Sequence, residues 1–287
     1  MKISLCTISL INHAGSLEEV FQVMNKTGIK YADARASDPK SHVLRSMDRE
    51  ERRGVLALAK KYGISICSLA GSIGGKLSSE NEEIRDTELA EMKKEIDLAA
   101  ELGAGVIRVG TGVPYNPDPC LVYDKSILER VLPYQKEAAS YAEKKGVRMG
   151  VENHGLNFSA YTDKLADFCS RVGSRSFGVI YEPGNLFGNS KDYRKGFHDQ
   201  KDYIVHVHLK DGYPFRFPGS IEASLYCTVY GQGKLDIPWV IKNLKDIDYK
   251  GFVSIEYEAW HPEYNLPAPE TGIAECRKYL ERVIGLV

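Results

Sequence analysis

Glu152, Glu182, His208 and Glu256 each stand at or just past the end of a short apolar run, and together they make a ligand set able to hold a divalent cation. The runs are Met149-Gly150-Val151, Gly178-Val179-Ile180-Tyr181, Val205-His206-Val207 and Phe252-Val253-Ser254-Ile255. Ionised carboxylates are costly to bury alone, so acids placed this way need a common partner. A set of carboxylates with one imidazole suits Mn²⁺, Mg²⁺, Co²⁺ or Zn²⁺, and the lack of thiolates argues against a structural zinc site. A cation held there could run sugar chemistry. The competing explanation is an interior network in which Arg108 and Lys210 neutralise the acids.

The side-chain period of a strand sorts these residues by face. Val253, Ile255 and Tyr257 share one face, and Ser254 and Glu256 the other. Phe177, Val179 and Tyr181 oppose Gly178, Ile180 and Glu182. Val205, Val207 and Leu209 oppose His206 and His208, and Met149 and Val151 oppose Glu152 and His154. Each run sends its acid or imidazole to the face assigned to the interior, which structural ion pairs would not require. His206, one layer deeper, reads as a hydrogen-bonded core residue supporting the ligands. His13, His42, His198 and His261 read as surface or loop residues, with His13 close enough to the first strand to line a pocket.

What must position this set is a repeating β–α rhythm along the whole chain. Strands are expected over 2–9, 31–35, 65–70, 106–109, 148–152, 177–181, 204–209 and 252–257. Helices are expected from a capping box at Ser16, then over 48–62, 81–102, 126–145, 162–172, 192–199, 238–245 and 269–284. Residues 71–75, Gly-Ser-Ile-Gly-Gly, read as a flexible loop. Such alternation predicts a (β/α)8 TIM barrel, whose active site forms at the C-terminal ends of the strands. An open doubly wound sheet is the alternative, but Thr7-Ile8-Ser9-Leu10-Ile11 is not a Gly-rich phosphate turn. No low-complexity linker divides residues 1–287, so one domain is expected.

Composition narrows the function classes. Lys and Arg number 38 against 39 Asp and Glu, and the mean hydropathy is −0.31. That balance offers no general attraction to nucleic acid or an anionic membrane. No apolar stretch is long enough to span a bilayer, and the N-terminus reads as a first strand rather than a signal peptide. Cys6, Cys67, Cys120, Cys169, Cys227 and Cys276 include no C-x-x-C pair and lie mostly in apolar runs. Buried reduced thiols in a cytoplasmic protein are the expectation. A homo-oligomer is compatible with all of this.

Five motifs resemble the xylose isomerase-like barrel superfamily of sugar isomerases and epimerases. They are Val151-Glu152-Asn153-His154, Glu182-Pro183-Gly184-Asn185, His206-Val207-His208-Leu209-Lys210-Asp211, Gly231-Gln232-Gly233-Lys234-Leu235-Asp236 and Gly251-Phe252-Val253-Ser254-Ile255-Glu256. The resemblance covers essentially the whole chain. It implies that Glu152, Glu182, His208 and Glu256 bind one divalent metal ion, and that Glu152 and Glu256 are also the catalytic acid and base. Glu182 departs from the family pattern, which usually has Asp there. Asn185 stands where several ketose epimerases carry a substrate-binding His. Arg216 resembles a family Arg that reaches the substrate. His154 is a candidate for orienting a substrate oxygen, and Trp260 for a wall against the sugar's apolar face.

The resemblance implies proton transfer on a ketose or related polyol ketone through a metal-stabilised ene-diolate. Return of the proton to the same carbon epimerises, return to its neighbour isomerises, and loss of a β-hydroxyl dehydrates, as in inosose dehydratases. A non-catalytic sugar-binding barrel and an abasic-site endonuclease-like enzyme are the other readings. The second uses extra His and Glu ligands on early strands, where this chain has Ser68-Leu69-Ala70 and Arg108-Val109-Gly110. The expected partner is a small sugar or an inositol-derived substrate.

Overall fold

The computed structural model describes residues 1–36, 42–113, 124–155, 158–216, 224–259 and 264–286. Its centre is a closed barrel of parallel strands: β1 (Lys2–Cys6), β2 (Tyr31–Arg35), β3 (Ser65–Ile73), β4 (Val106–Val109), β5 (Arg148–Glu152), β6 (Phe177–Tyr181), β7 (Ile204–Leu209) and β10 (Phe252–Ile255). The chain is a (β/α)8 barrel, closed where β1 pairs with β10 from Lys2 opposite Phe252 to Leu5 opposite Ile255. A separate hairpin, β8 (Asp211–Phe215) with β9 (Ser224–Thr228), stands beyond β7.

Helices α1 (Leu17–Thr27), α2 (Arg49–Tyr62), α3 (Glu82–Leu102), α4 (Lys125–Lys145), α5 (Thr162–Val172), α6 (Pro183–Gly188), α7 (Tyr193–Gln200), α8 (Ile237–Asp246) and α9 (Pro269–Ile284) connect the strands. Their ends follow local chemistry. Ser16 accepts the Glu19 amide, and Asp48 and Glu51 form a reciprocal capping box. At the far end α3 closes on Gly103 at φ 78°, a left-handed turn that costs glycine little and redirects the chain into β4.

The apolar core lies between strands and helices. Val179, Val207, Val253 and Ile255 are fully buried on the outer strand face, as the alternation predicts. The barrel interior is different: Ser4, Asp33, Glu152, His206, His208 and Ser254 are all buried there. Gly150 and Gly178 sit opposite each other in register, and Val205 packs into the space a side chain at either would take, joined at Gly150 by Ile180. A Cβ on Gly178 would overlap the Tyr203 carbonyl.

The structure departs from the sequence expectations in several places. Residues 71–73 are not a flexible loop but the end of β3, because Ile73 pairs with Val109 and the Gly71 carbonyl accepts Arg108 Nε at 2.7 Å. The first strand stops at Cys6, where the chain tightens into a 3₁₀ turn over Thr7–Leu10. That turn frees Thr7 Oγ1 to accept the Arg35 amide and Ser9 Oγ to accept the Tyr257 amide. The last strand ends at Ile255, although the Glu256 amide still bonds Leu209 O at 2.9 Å. Helix α6 and the hairpin were not expected. Pro183 opens α6, a position where its missing N–H costs nothing. Asp211 anchors the hairpin base: its carboxylate accepts the amides of Gly212, Gly231, Gly233 and Leu235. The Gly231-to-Asp236 motif is therefore largely a structural turn. No described helix is long and apolar enough to cross a membrane.

Candidate active site

Glu152, Glu182, His208 and Glu256 converge at the C-terminal mouth of the barrel, with one ligand atom from each lying within 4.8 Å of all the others. Glu152 ends β5, and its Oε1 is 2.6 Å from His208 Nδ1. Its Oε2 accepts from Arg108 of β4. Burial alone would raise the Glu152 carboxyl, but Arg108 and His208 outweigh it and hold it well below the usual carboxylate range. His208 is pushed the other way: against burial, Glu152 and Asp33 draw its imidazole well above the ordinary histidine value.

Glu182 follows β6 and is fully buried. Its longer side chain turns back to cap α6, Oε1 accepting the Gly184 amide at 2.7 Å. Its Oε2 is buried with no hydrogen-bond donor. Burial raises this carboxyl to about 8, with Lys210 opposing and Glu256 and Glu152 adding to the rise. Glu256 lies just past β10, with Lys210 Nζ 3.0 Å from its Oε2. That approach is charge pairing rather than an aligned hydrogen bond, because the same oxygen has no hydrogen-bond partner. Lys210 donates instead to Glu258 Oε1 at 2.7 Å.

Both cations of the competing explanation are thus present, Arg108 on Glu152 and Lys210 on Glu256. They do not complete the site. Even with the charged His208 beside Glu152, Glu182 Oε2 is left buried and undonated, with Glu256 and Glu152 adding to the rise of its carboxyl. A divalent ion fits this donor set, since it would take the open oxygens and remove the penalty of burying them.

One residue at the centre escaped the sequence reading. Asp33 of β2 is 1 % exposed and reaches across the lumen to His206 and His208. Its signal was available: Ala32 and Ala34 face the helices, which leaves Asp33 inward by the parity applied to the later strands. Burial opposes its charge, but His208 and His206 hold the carboxyl well below its ordinary range. His206 is, as expected, a core residue one layer down. Burial lowers its pKa despite Asp33.

A cavity of about 350 Å³ opens beside Glu152, lined by Ser72, Arg108, Thr111 and His154 among others. His154 is exposed at its rim, its amide held by Ser159 Oγ. Asn185 lies on α6 and donates to Asn153 O at 2.9 Å, which ties the ends of β5 and β6 together. Asn153 itself is fully buried and bonds Ser159 O, a structural role. Arg216 is exposed just past β8 and does not line the cavity. Trp260 lies outside the described residues. A larger groove of about 650 Å³ between α3 and α4 is lined by surface charges such as Glu82, Lys93 and Glu137 and is remote from this chemistry.

The model of the xylose isomerase-like TIM barrel family matches residues 21–283. The chain belongs to this family. An L-ribulose-5-phosphate 3-epimerase (UlaE) of Escherichia coli is 22% identical over 266 residues, covering 92% of this chain and 88% of the relative. Among solved structures, the D-psicose 3-epimerase of Clostridium cellulolyticum H10 with D-tagatose superposes with a TM-score of 0.78 at 17% identity, covering 99% of each chain. A xylose isomerase-like TIM barrel protein from Mycobacterium smegmatis in complex with magnesium gives 0.74 at 15% identity, covering 99% of this chain and 96% of that one. At these identities the structural matches establish the fold alone. They agree with the barrel derived above.

Proposed function

We propose that this family member is a divalent-metal-dependent sugar isomerase or epimerase acting on a ketose or related polyol ketone. The observation that carries the reading is the convergence of Glu152, Glu182, His208 and Glu256 around a buried carboxylate oxygen that nothing else satisfies. Curated relatives that act as sugar 3-epimerases, and a magnesium-bound neighbour, support it.

In this reading those four residues hold the ion. When bound, it would polarise the substrate's carbonyl oxygen and acidify the adjacent C–H. Glu152 and Glu256 move the proton. They come from β5 and β10, which are separated in the barrel by β6 and β7, so their carboxylates approach the site from different sides. One removes the proton beside the carbonyl and the other delivers one to the opposite face. Arg108 keeps Glu152 ionised, and Lys210 holds Glu256 in place. His154, at the cavity rim, is proposed to meet a substrate hydroxyl; Asn185, Arg216 and Trp260 are kept as proposed substrate-binding residues. A dehydratase on the same scaffold shares the first proton removal and differs by expelling a β-hydroxyl.

The reading takes residues 1–287 as one domain, working in the cytoplasm on a small substrate, with neither nucleic acid nor membrane as partner. The buried free thiols of Cys6, Cys67, Cys169, Cys227 and Cys276 support a reducing compartment. The test is solvent-deuterium exchange at the carbon next to the carbonyl, read by NMR over free and phosphorylated ketoses and keto-inositols. Exchange that disappears with chelator and returns with Mn²⁺ is expected. Exchange that persists in chelator would refute the metal-dependent scheme, and β-elimination products would select the dehydratase.

A further inference from the structure

We propose that Asp33 is the positioning residue of the metal centre: it holds His208 through Nε2, so that Nδ1 is the nitrogen offered to the cation. The inference rests on the metal-dependent reading above and adds to it a residue that no ligand motif contains.

Asp33 and His208 belong to β2 and β7, which are not neighbours. In the closed barrel β1 and β10 stand between them, so their contact crosses the interior. A single oxygen, Asp33 Oδ2, gathers the contacts: His208 Nε2 at 2.8 Å, His206 Nε2 at 3.0 Å and Ser254 Oγ at 3.0 Å. Ser254 Oγ is also 2.6 Å from Ser4 Oγ. Donors from β7 and β10, with β1 behind them, thus fix one carboxylate of β2. A carboxylate oxygen so placed has little freedom to turn.

The consequence falls on the His208 ring. It is pinned at both nitrogens, Nε2 on Asp33 and Nδ1 2.6 Å from Glu152 Oε1. Between the two carboxylates the ring can donate at both nitrogens, but a cation binds only the neutral imidazole, which carries one N–H. With that N–H kept on Nε2 by Asp33, the proton displaced is the one on Nδ1, on the side where Glu152, Glu182 and Glu256 gather. Metal-binding histidines depend on such outer partners for both ring orientation and basicity. The His206 ring, 5.3 Å from His208 centre to centre and nearly perpendicular to it, blocks the ring from swinging deeper. Cys6, Asp33 and His208 also lie within metal-ligand reach of one another. The three donors make Oδ2 a hydrogen-bond centre, and the carboxylate's other oxygen, Oδ1, is buried without a hydrogen-bond partner.

Two measurements test the inference. The first is divalent-ion affinity by calorimetry, with Mn²⁺ and Zn²⁺ as probes, for wild type and Asp33→Asn. The variant keeps the shape of the side chain but loses its charge and can present an N–H to Nε2. Its affinity is expected to fall about 10- to 100-fold, as for other losses of an outer partner, with far-UV circular dichroism unchanged. The second is ¹⁵N NMR of ring-labelled histidine in the Zn²⁺-loaded wild type, with His208 assigned by its loss in His208→Gln. The expected pattern is metal on Nδ1 and a proton on Nε2. Metal on Nε2 would overturn the inference even if Asp33→Asn fails to fold. So would an Asp33→Asn affinity within roughly threefold of wild type, well short of the expected loss. Wild type that binds neither ion defeats the metal-dependent reading and this inference together, whereas tight binding retained by Asp33→Asn defeats this inference alone.

Discussion

Lys210 Nζ lies 3.0 Å from Glu256 Oε2 and 2.7 Å from Glu258 Oε1, one ammonium between two carboxylates at the mouth of the barrel. The Lys210 side chain is 7% exposed. Burial opposes its charge, yet Glu256 and Glu258 draw its pKa well above the ordinary lysine value. Replacing it with Met leaves two acids facing each other with their cation gone. Lys210→Met is expected to destabilise the fold by about 3–5 kcal/mol, the usual consequence of removing one member of a buried pair. Adding Glu258→Gln should recover part of that loss. Chemical denaturation of the two variants measures both effects, and a Lys210→Met midpoint equal to wild type would remove Lys210 from the account of the site.

Protein purified without chelator is expected to carry one divalent ion per chain by elemental analysis. Stripping and re-adding Mn²⁺ should raise the unfolding free energy by roughly 2.7 kcal/mol at a free ion concentration a hundred times the dissociation constant. No metal at any stoichiometry, with a melting temperature indifferent to Mn²⁺, would contradict the ligand set of Glu152, Glu182, His208 and Glu256.

Glu152→Gln and Glu256→Gln each remove a proton carrier and a charged ligand. Each is expected to slow deuterium exchange by about a hundredfold or more, the scale of a general acid–base contribution. Circular dichroism should stay native. A loss below about tenfold in either variant would be too small for that role.

Glu95 of α3, packed behind Gly71, gives a pH signature from outside the four converging residues. Its side chain is fully buried, with Arg45 Nη1 2.8 Å from Oε2. Burial raises its carboxyl to about 7, against the pull of Arg45 and Arg108 and with Glu88 adding a like charge. The folded state therefore holds a proton that the unfolded chain releases near the ordinary glutamate value. Stability from this group is full below that value and declines as pH rises towards and through 7. Glu95→Gln cannot ionise, so its stability should be flatter between pH 5 and 8, and the variant should gain on wild type by on the order of 2 kcal/mol at the alkaline end. Parallel denaturation curves across that range check it, and unchanged pH dependence would show that Glu95 does not titrate there.

The family motifs and the inward parity of Glu152, Glu182, His208 and Glu256 were legible in the sequence because a strand has a fixed side-chain period and a barrel a fixed end for its site. Most barrel strands, and helices such as α5 and α9, were legible for a similar local reason: apolar runs bounded by caps and glycines. What the sequence could not decide was which distant groups meet. Asp33 joins His208 from 175 residues away, a contact that exists only because the barrel closes. The folding-back of Glu182 onto the Gly184 amide, the division of Arg108 between Gly71 and Glu152, and the sharing of Lys210 by Glu256 and Glu258 are likewise set by tertiary geometry. Local periodicity fixes the face on which a side chain stands. Only packing the strands into one closed ring fixes its partner, and in a buried polar interior the partner determines the charge each group carries.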